Sequence, residues 1–272
     1  MNRRLLSLLL LLPAFALAQP PKHRNPPPPE PEPAPAASPY DVPRQPNRFA
    51  ALSLLGDNVQ LISLNPARGD TAQTGEWTAA PAGGLDNAVL QALYKTVVAS
   101  GEGREAKLYT SATRSLYGDP AQLFVAGRLS LPGQLGEAVR QSGAARLLLV
   151  TRSRQEPALA AALPARIPAT LEGPGFVLDQ RPGAQIGFDG QPGRPVLAPY
   201  VSIRVALVDL ADLRLIREQS LAAASRLTLP ADADNPWAAT TPEQRVQALE
   251  ALIEAELPAA VTGLVKTAPA AP

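Results

Sequence analysis

Pro199-Tyr200-Val201-Ser202-Ile203-Arg204-Val205-Ala206-Leu207-Val208-Asp209 sets Val201, Ile203, Val205 and Leu207 on alternate positions, and so on one face of a β-strand. Tyr200, Ser202, Arg204, Ala206 and Val208 fall on the other face, a mixture that predicts partial cover there. A strand buried on one side and half covered on the other belongs near the middle of a sheet with helices packed on it. A second stretch, Arg146-Leu147-Leu148-Leu149-Val150-Thr151, is apolar without alternation and predicts a strand buried on both faces, lying beside the first. After Asp209 the chain turns through Leu210-Ala211-Asp212 and returns along Leu213-Arg214-Leu215-Ile216-Arg217-Glu218. The fold class that follows is α/β, a mixed sheet with helices packed on it.

Working outward, Asp86 reads as an N-cap, with Leu85 and Leu90 placed for a hydrophobic staple and a stripe at Val89, Leu90, Leu93 and Val97. That helix ends near Ala99. Leu135, Ala138 and Val139 mark a short helix over Gly133–Gln141, with Gly143 where a left-handed cap belongs. Thr241-Pro242-Glu243-Gln244 is a capping box with proline at the first helical position, and Val246, Leu249, Ile253 and Leu257 form the stripe behind it. The helix it starts is expected over Pro242–Leu257, with Pro258 ending or kinking it. Arg48–Leu55 and Asn58–Leu64 are expected to pair as a hairpin through Leu55-Gly56-Asp57-Asn58, and Asn65–Gly84 to form a polar loop. Ala106–Thr113 alternates as an exposed strand. Gly173–Pro199 is dense in glycine and proline, with Phe176-Val177-Leu178 and Gln185-Ile186-Gly187-Phe188 as islands that could form a hairpin.

Met1-Asn2-Arg3-Arg4, the apolar run from Leu5 and the small-x-small site Ala16-Leu17-Ala18 together read as a secretory signal peptide over residues 1–18. Its apolar stretch of about 13 residues falls short of the roughly 20 a membrane span needs. Residues 19–46 are so rich in proline that they can neither continue a helix nor bury a core, and they read as a disordered linker. Fully extended at about 3.1 Å per residue, such a spacer reaches roughly 80 Å. It serves either as a stand-off arm or ligand for a proline-binding partner, or as a passive tail. The domain organisation expected is one α/β domain over residues 47–266 with a disordered tail at 267–272. Taking Arg3 and Arg4 away with the leader lowers 25 Lys and Arg to 23, against 24 Asp and Glu. A near-neutral exported chain is poorly suited to nucleic acid or to an anionic membrane surface.

The chain has no cysteine, which removes disulfides, thiolate nucleophiles and a lipid-accepting residue. With aromatics at 4% and hydrophobic residues at 46%, the core must be aliphatic and stability must come from packing. The single histidine, His23, sits in the proline-rich stretch, where a catalytic base could not be held in place. No Gly-x-Ser-x-Gly, Walker or Gly-x-Gly-x-x-Gly pattern occurs. Asp232, Asp234 and Glu243 resemble part of a calcium loop, but Trp237 stands where the turn needs glycine and Pro236 takes a ligand position. Asp209, Asp212 and Glu218 are the clustered carboxylates a hydrolase would use, although Asp at each end of a tight turn is also ordinary turn chemistry. For binding, the candidates are Phe176, Arg181, Phe188 and Arg194, aromatics and guanidinium groups that a long loop could offer to an anionic or peptide partner. The same residues could instead form a structural hairpin folded down on the sheet. No cofactor or metal is expected.

Ser142-Gly143-Ala144-Ala145-Arg146-Leu147-Leu148-Leu149-Val150, followed by the long strand ending in Val208-Asp209 and its return, resembles the α/β domain of exported bacterial envelope proteins. Examples are the TolB N-terminal domain, the curli-secretion lipoprotein and the lipoprotein activators of peptidoglycan synthases. The likeness spans Phe49 to Leu257 in element order. It implies a non-enzymatic envelope protein that works through partner contacts, and the proline-rich arm is similar to the linkers of those proteins. The chain departs from them in having no lipid-accepting cysteine and no glycine in the turn after Asp209. Export signal and resemblance together lead to the expectation of a periplasmic protein that binds or scaffolds an envelope protein partner. Neither nucleic acid nor stable membrane insertion is expected after leader removal. A carboxylate-dependent hydrolase and a small-ligand carrier are the alternatives.

Overall fold

The computed structural model describes residues 42–64, 73–79 as backbone, 84–155, 167, 170–180, 195–227, 229 and 235–266. Its axis is β10 (Val196–Asp209), buried over nearly its whole length because both flanking rows and both faces are covered. On one edge it pairs antiparallel with β11 (Leu215–Ala224), from Tyr200↔Ala224 to Val208↔Leu215. Two strands lie end to end along the other edge. β9 (Leu171–Asp179) pairs with Val196–Ser202, and β7 (Ala144–Arg152) pairs with Ile203–Asp209. The same split recurs one row further out, where β1 (Gln45–Leu54) runs parallel to β7 and β2 (Asn58–Leu64) runs parallel to β9. β4 (Glu105–Tyr109) extends the sheet beside β1, parallel, and β3 (Gln73–Ala79) beside β2, antiparallel. The mixed sheet expected from sequence is present, and so is the pairing of the two longest apolar strands.

The expected hairpin over Leu55-Gly56-Asp57-Asn58 is not. β1 and β2 run the same way, and the Gly56 backbone, at φ +70°, makes a break in a line and not a reversal. Gly-Asp-Asn serves both purposes equally well. The parallel neighbours decide between them, since a β1–β2 hairpin would leave either β7 or β9 without its outer row. Two further stretches read as loops are strands. Gln73–Ala79 is β3, and Gly173-Pro174-Gly175 lies inside β9. Pro174 is tolerated because the β2 ladder begins only at Gly175, so Pro174 has no β2 partner to which an N–H is owed. Gly175 is required because any Cβ there would strike the Gln60 carbonyl oxygen and the Tyr200 ring.

α1 (Asp86–Ala99) and α3 (Pro242–Lys266) lie together on one face of the sheet. They bury Val89, Leu93, Val97, Leu249, Ile253, Leu257 and Val261 against Phe49, Ala51, Leu148, Val150, Val201, Ile203, Val205 and Leu207. At roughly 1.5–3 kcal/mol per large aliphatic side chain, this layer is the main source of stability. The capping box closes as its spacing requires: the Thr241 N–H donates to Gln244 Oε1 at 2.8 Å, and the Gln244 N–H to Thr241 Oγ1 at 3.2 Å. Pro258 does not end α3. Its missing N–H costs the Glu254 carbonyl a partner at an exposed position, while Ala260, Val261, Leu264 and Val265 continue the buried stripe for two more turns.

The opposite face is covered in two pieces. Over β1, β7 and the end of β10 sit 3-10 turns at Arg114–Tyr117 and Pro120–Leu123, the small hairpin of β5 (Phe124–Val125) and β6 (Arg128–Leu129), and α2 (Gly133–Arg140). These close on Ala50, Leu52, Leu54, Leu147, Leu149, Ala206 and Val208. Over β2, β9 and the start of β10 lies a separate cluster of Ile62, Leu64, Ile167, Leu171, Val177, Ala198 and Tyr200. Between the two, β8 (Arg154–Gln155) turns back on Glu172 and Leu171 at the start of β9. Among the described residues no helix is long and apolar enough to cross a membrane.

Candidate functional site

Where β1 stops and β2 starts, backbone groups lose their ladder partners and a buried polar joint supplies new ones. Asp86, in the first turn of α1, accepts from Ser53 Oγ at 2.5 Å, from the Leu55 N–H at 2.9 Å and from the Gly56 N–H at 3.2 Å. It therefore does not cap its own helix, which has no side-chain cap: three donors on the break outcompete the helix N-terminus. Arg152, at the end of β7, donates to the Leu55 carbonyl through Nε at 2.8 Å and Nη2 at 2.6 Å, and to the Asn58 carbonyl at 2.9 Å. Across β9, Gln60 accepts from the Tyr200 hydroxyl and from the Glu172 N–H. Burial dominates the electrostatics: it raises the Asp86 carboxyl above its ordinary range and lowers the Arg152 guanidinium. Tyr117, whose ring lies against Gly56, is pushed up to about 12 by burial and by the nearby charges of Asp86 and Asp57.

Above this joint the gap between the two coverings opens as a cleft in two lobes that share Tyr117 and Arg152. One, of about 510 Å³, is lined by Asp119, Pro120, Ser153, Arg154, Glu172 and Arg204; the other, of about 530 Å³, by Gly56, Asp57, Asn58, Ser111 and Arg114. Its charges are already matched in part, Arg154 Nε lying 2.6 Å from Glu172 and Arg204 Nη1 lying 3.4 Å from Glu218. Ser53 is fully buried beneath it, so the Ser53–Asp86 pair serves the break and cannot reach a substrate in the cleft.

The residues singled out from sequence do not assemble. Phe176 is a core residue, 1% exposed, packed edge-on against Trp237 with ring centroids 5.6 Å apart, so it stands at no surface. Arg181, Phe188 and Arg194 lie outside the described residues, as do His23, Asp232 and Asp234. Asp209 accepts from the Ala211 N–H at 2.6 Å, and Asp212 from the Arg214 N–H at 3.1 Å, which is turn chemistry. Glu218 is committed to Arg204, and none of the three carboxylates lines the clefts described. Among the described residues no cluster of acid or histidine side chains could hold a metal ion.

The return strand expected after Asp209 is present as β11, and the feature that sequence reading passed over is its outer edge. β11 is the outermost row on its side of the sheet, pairing among the described strands with β10 alone, and Leu215–Ser220 are all exposed. A register shift between Leu207 and Val208 passes over Ile216, leaving Leu215 and Ile216 at 36% and 37% exposure. Nearby, Leu213 joins Val125, Leu129, Leu131 and Val139 around a shallow groove of about 330 Å³, with Val125 64% exposed. The polar run Arg217-Glu218-Gln219-Ser220 was the available signal: a strand next to a fully buried one that shows no apolar alternation has an open side.

No family model and no curated protein matches the sequence. Among solved structures, protein XCC0632 from Xanthomonas campestris, of the DUF330 family model, aligns over 84% of this chain and 89% of its own at 11% identity and TM-score 0.33. A PelC dodecamer from Paraburkholderia phytofirmans aligns over 81% of this chain and 94% of that one at 10% identity and TM-score 0.29. Likenesses this distant carry no conclusion about fold or function.

Proposed function

We propose that this is an exported protein of the bacterial periplasm that acts by binding another protein of the cell envelope, without catalysis. The observation that carries the reading is the open edge of β11, a strand of 10 residues with a row of backbone donors and acceptors facing outward and exposed apolar side chains at its start. Such an edge is a hazard in a protein that meets no partner and a docking rail in one that does. The leader-like N-terminus and the proline-rich spacer support the same reading, since they suit a domain held off in the envelope. Photo-crosslinking in living cells tests it, with the crosslinking residue placed at Ile216 and, as control, at Tyr94, which is also exposed, on α1. A discrete adduct with one envelope protein at Ile216 and none at Tyr94 is expected. No adduct at Ile216, or the same smear from both positions, contradicts it.

A further inference from the structure

Given the binding role proposed above, on which this inference rests, the groove beside the start of β11 specifies what the partner should carry. Leu129 and Val139, 2% and 1% exposed, form its floor, and Val125, Leu131 and Leu213 stand around it. The only charged residues in its lining, among the described ones, are Arg128 and Arg140. Two acids close by in sequence are turned to other work. Glu137 of α2 accepts from Gln141 Nε2 at 2.7 Å and faces Arg140 Nη2 at 3.3 Å, while Asp212 faces Arg214 Nε at 3.2 Å and accepts the Arg214 N–H.

Leu213 is held in left-handed backbone, at φ +62°. Glycine or asparagine takes that region readily, whereas a leucine there is strained. The turn itself does not ask for leucine, because its closing bonds run through the main chain: the Asp209 N–H donates to the Arg214 carbonyl and the Leu129 N–H to the Leu213 carbonyl, each at 2.8 Å. What leucine adds is a partly buried apolar side chain at the groove wall, and strain kept at such a place is the kind found at ligand clamps. Leu215, two residues on, lies across from Val208, a member of the apolar cluster that includes Leu129 and Val139, so the groove and the start of β11 share one side of the sheet. A two-fold contact centred on the groove would set Arg128 and Arg140 of one copy against the same residues of the other, so charge favours a foreign segment. We infer that the groove seats a large apolar side chain of the envelope partner, with a carboxylate beside it that meets Arg128 and Arg140.

The test titrates the full chain, leader removed and observed by NMR, with a blocked six-residue peptide of glycine and serine around a central phenylalanine–glutamate pair. Amide shifts are expected at residues 125–131, 136–140 and 213. They should saturate at a concentration roughly fivefold lower than with lysine in place of the glutamate, about the limit for one exposed ion pair. Arg128→Glu should reverse that preference. Leu213→Asn keeps the left-handed backbone without the apolar side chain, and should weaken the glutamate peptide about fivefold or more. In cells, a photo-crosslinking residue at Val125, 64% exposed, should capture the same envelope protein as at Ile216. No saturable binding of the glutamate peptide, equal binding of the two peptides, binding untouched by Leu213→Asn, or a Val125 adduct of two copies of this chain overturns the inference. An Ile216 adduct without one at Val125 removes the groove and leaves the binding role; no adduct at either position removes both. Circular dichroism checks each variant, and the Arg128→Glu reversal, at an exposed position, stands as the test should Leu213→Asn loosen the turn.

Discussion

Replacing Asp86 by alanine strips the acceptor from Ser53 Oγ and from two backbone N–H groups inside the sheet break. At about 1–3 kcal/mol for each buried donor left unmade, a loss of roughly 3 kcal/mol or more is expected in urea denaturation. Asp86→Asn keeps an acceptor and should cost less. The pH dependence separates charge from hydrogen bonding. Burial raises the folded-state pKa of Asp86 above its ordinary 3.8, so the native state binds a proton at a pH where the unfolded chain does not. Its contribution to stability is thus fully present below about 3.8 and is lost as pH rises through the folded value. The stability difference between wild type and Asp86→Asn should accordingly move in favour of wild type as pH falls from 7 toward 4; a flat difference would show that burial leaves this carboxyl unperturbed. Gly175→Ala is the second residue-scale prediction. Its methyl group meets the Gln60 carbonyl and the Tyr200 ring, neither of which can move without opening the joint, so a drop of several °C in thermal midpoint is expected.

At the scale of elements, α3 offers two predictions of opposite sign. Thr241→Ala breaks the capping box and should cost about 1 kcal/mol. Pro258→Ala should stabilise the protein by about 2 kcal/mol in the same denaturation assay, because the helix already runs on to Lys266 and only the missing hydrogen bond is restored. The same elements show what could be read from sequence. β10, β7 and the three helices are legible because their period or their unbroken apolar run is strong, and the extent read for α1 from the stripe and its flanking residues matches Asp86–Ala99. The Asp86 cap was misread because the competing donors come from Ser53, Leu55 and Gly56, 30 to 33 positions away. Gly173-Pro174-Gly175 was misread for a related reason: its strand character comes from the close approach of Tyr200, which no local window contains. Phe176 went the same way. An aromatic among glycines and prolines has the composition of a binding loop, yet Phe176 and Leu178 point to one buried cluster and Val177 to another.

For the molecule as a whole, the end-to-end splitting of two rows explains why the far side of the sheet carries two coverings with a cleft between them, and why polar residues gather there. Among the described strands, β11 has a row that pairs on one side only, and the proposed binding role rests on it. Hydrogen exchange on Leu215–Ala224, in the full chain alone and then with its crosslinked envelope partner, examines that claim most directly. Slowing of β11 on complex formation is the result the binding role requires. Unchanged exchange on β11, with protection appearing instead around Tyr117–Ala121 in the cleft, would contradict it.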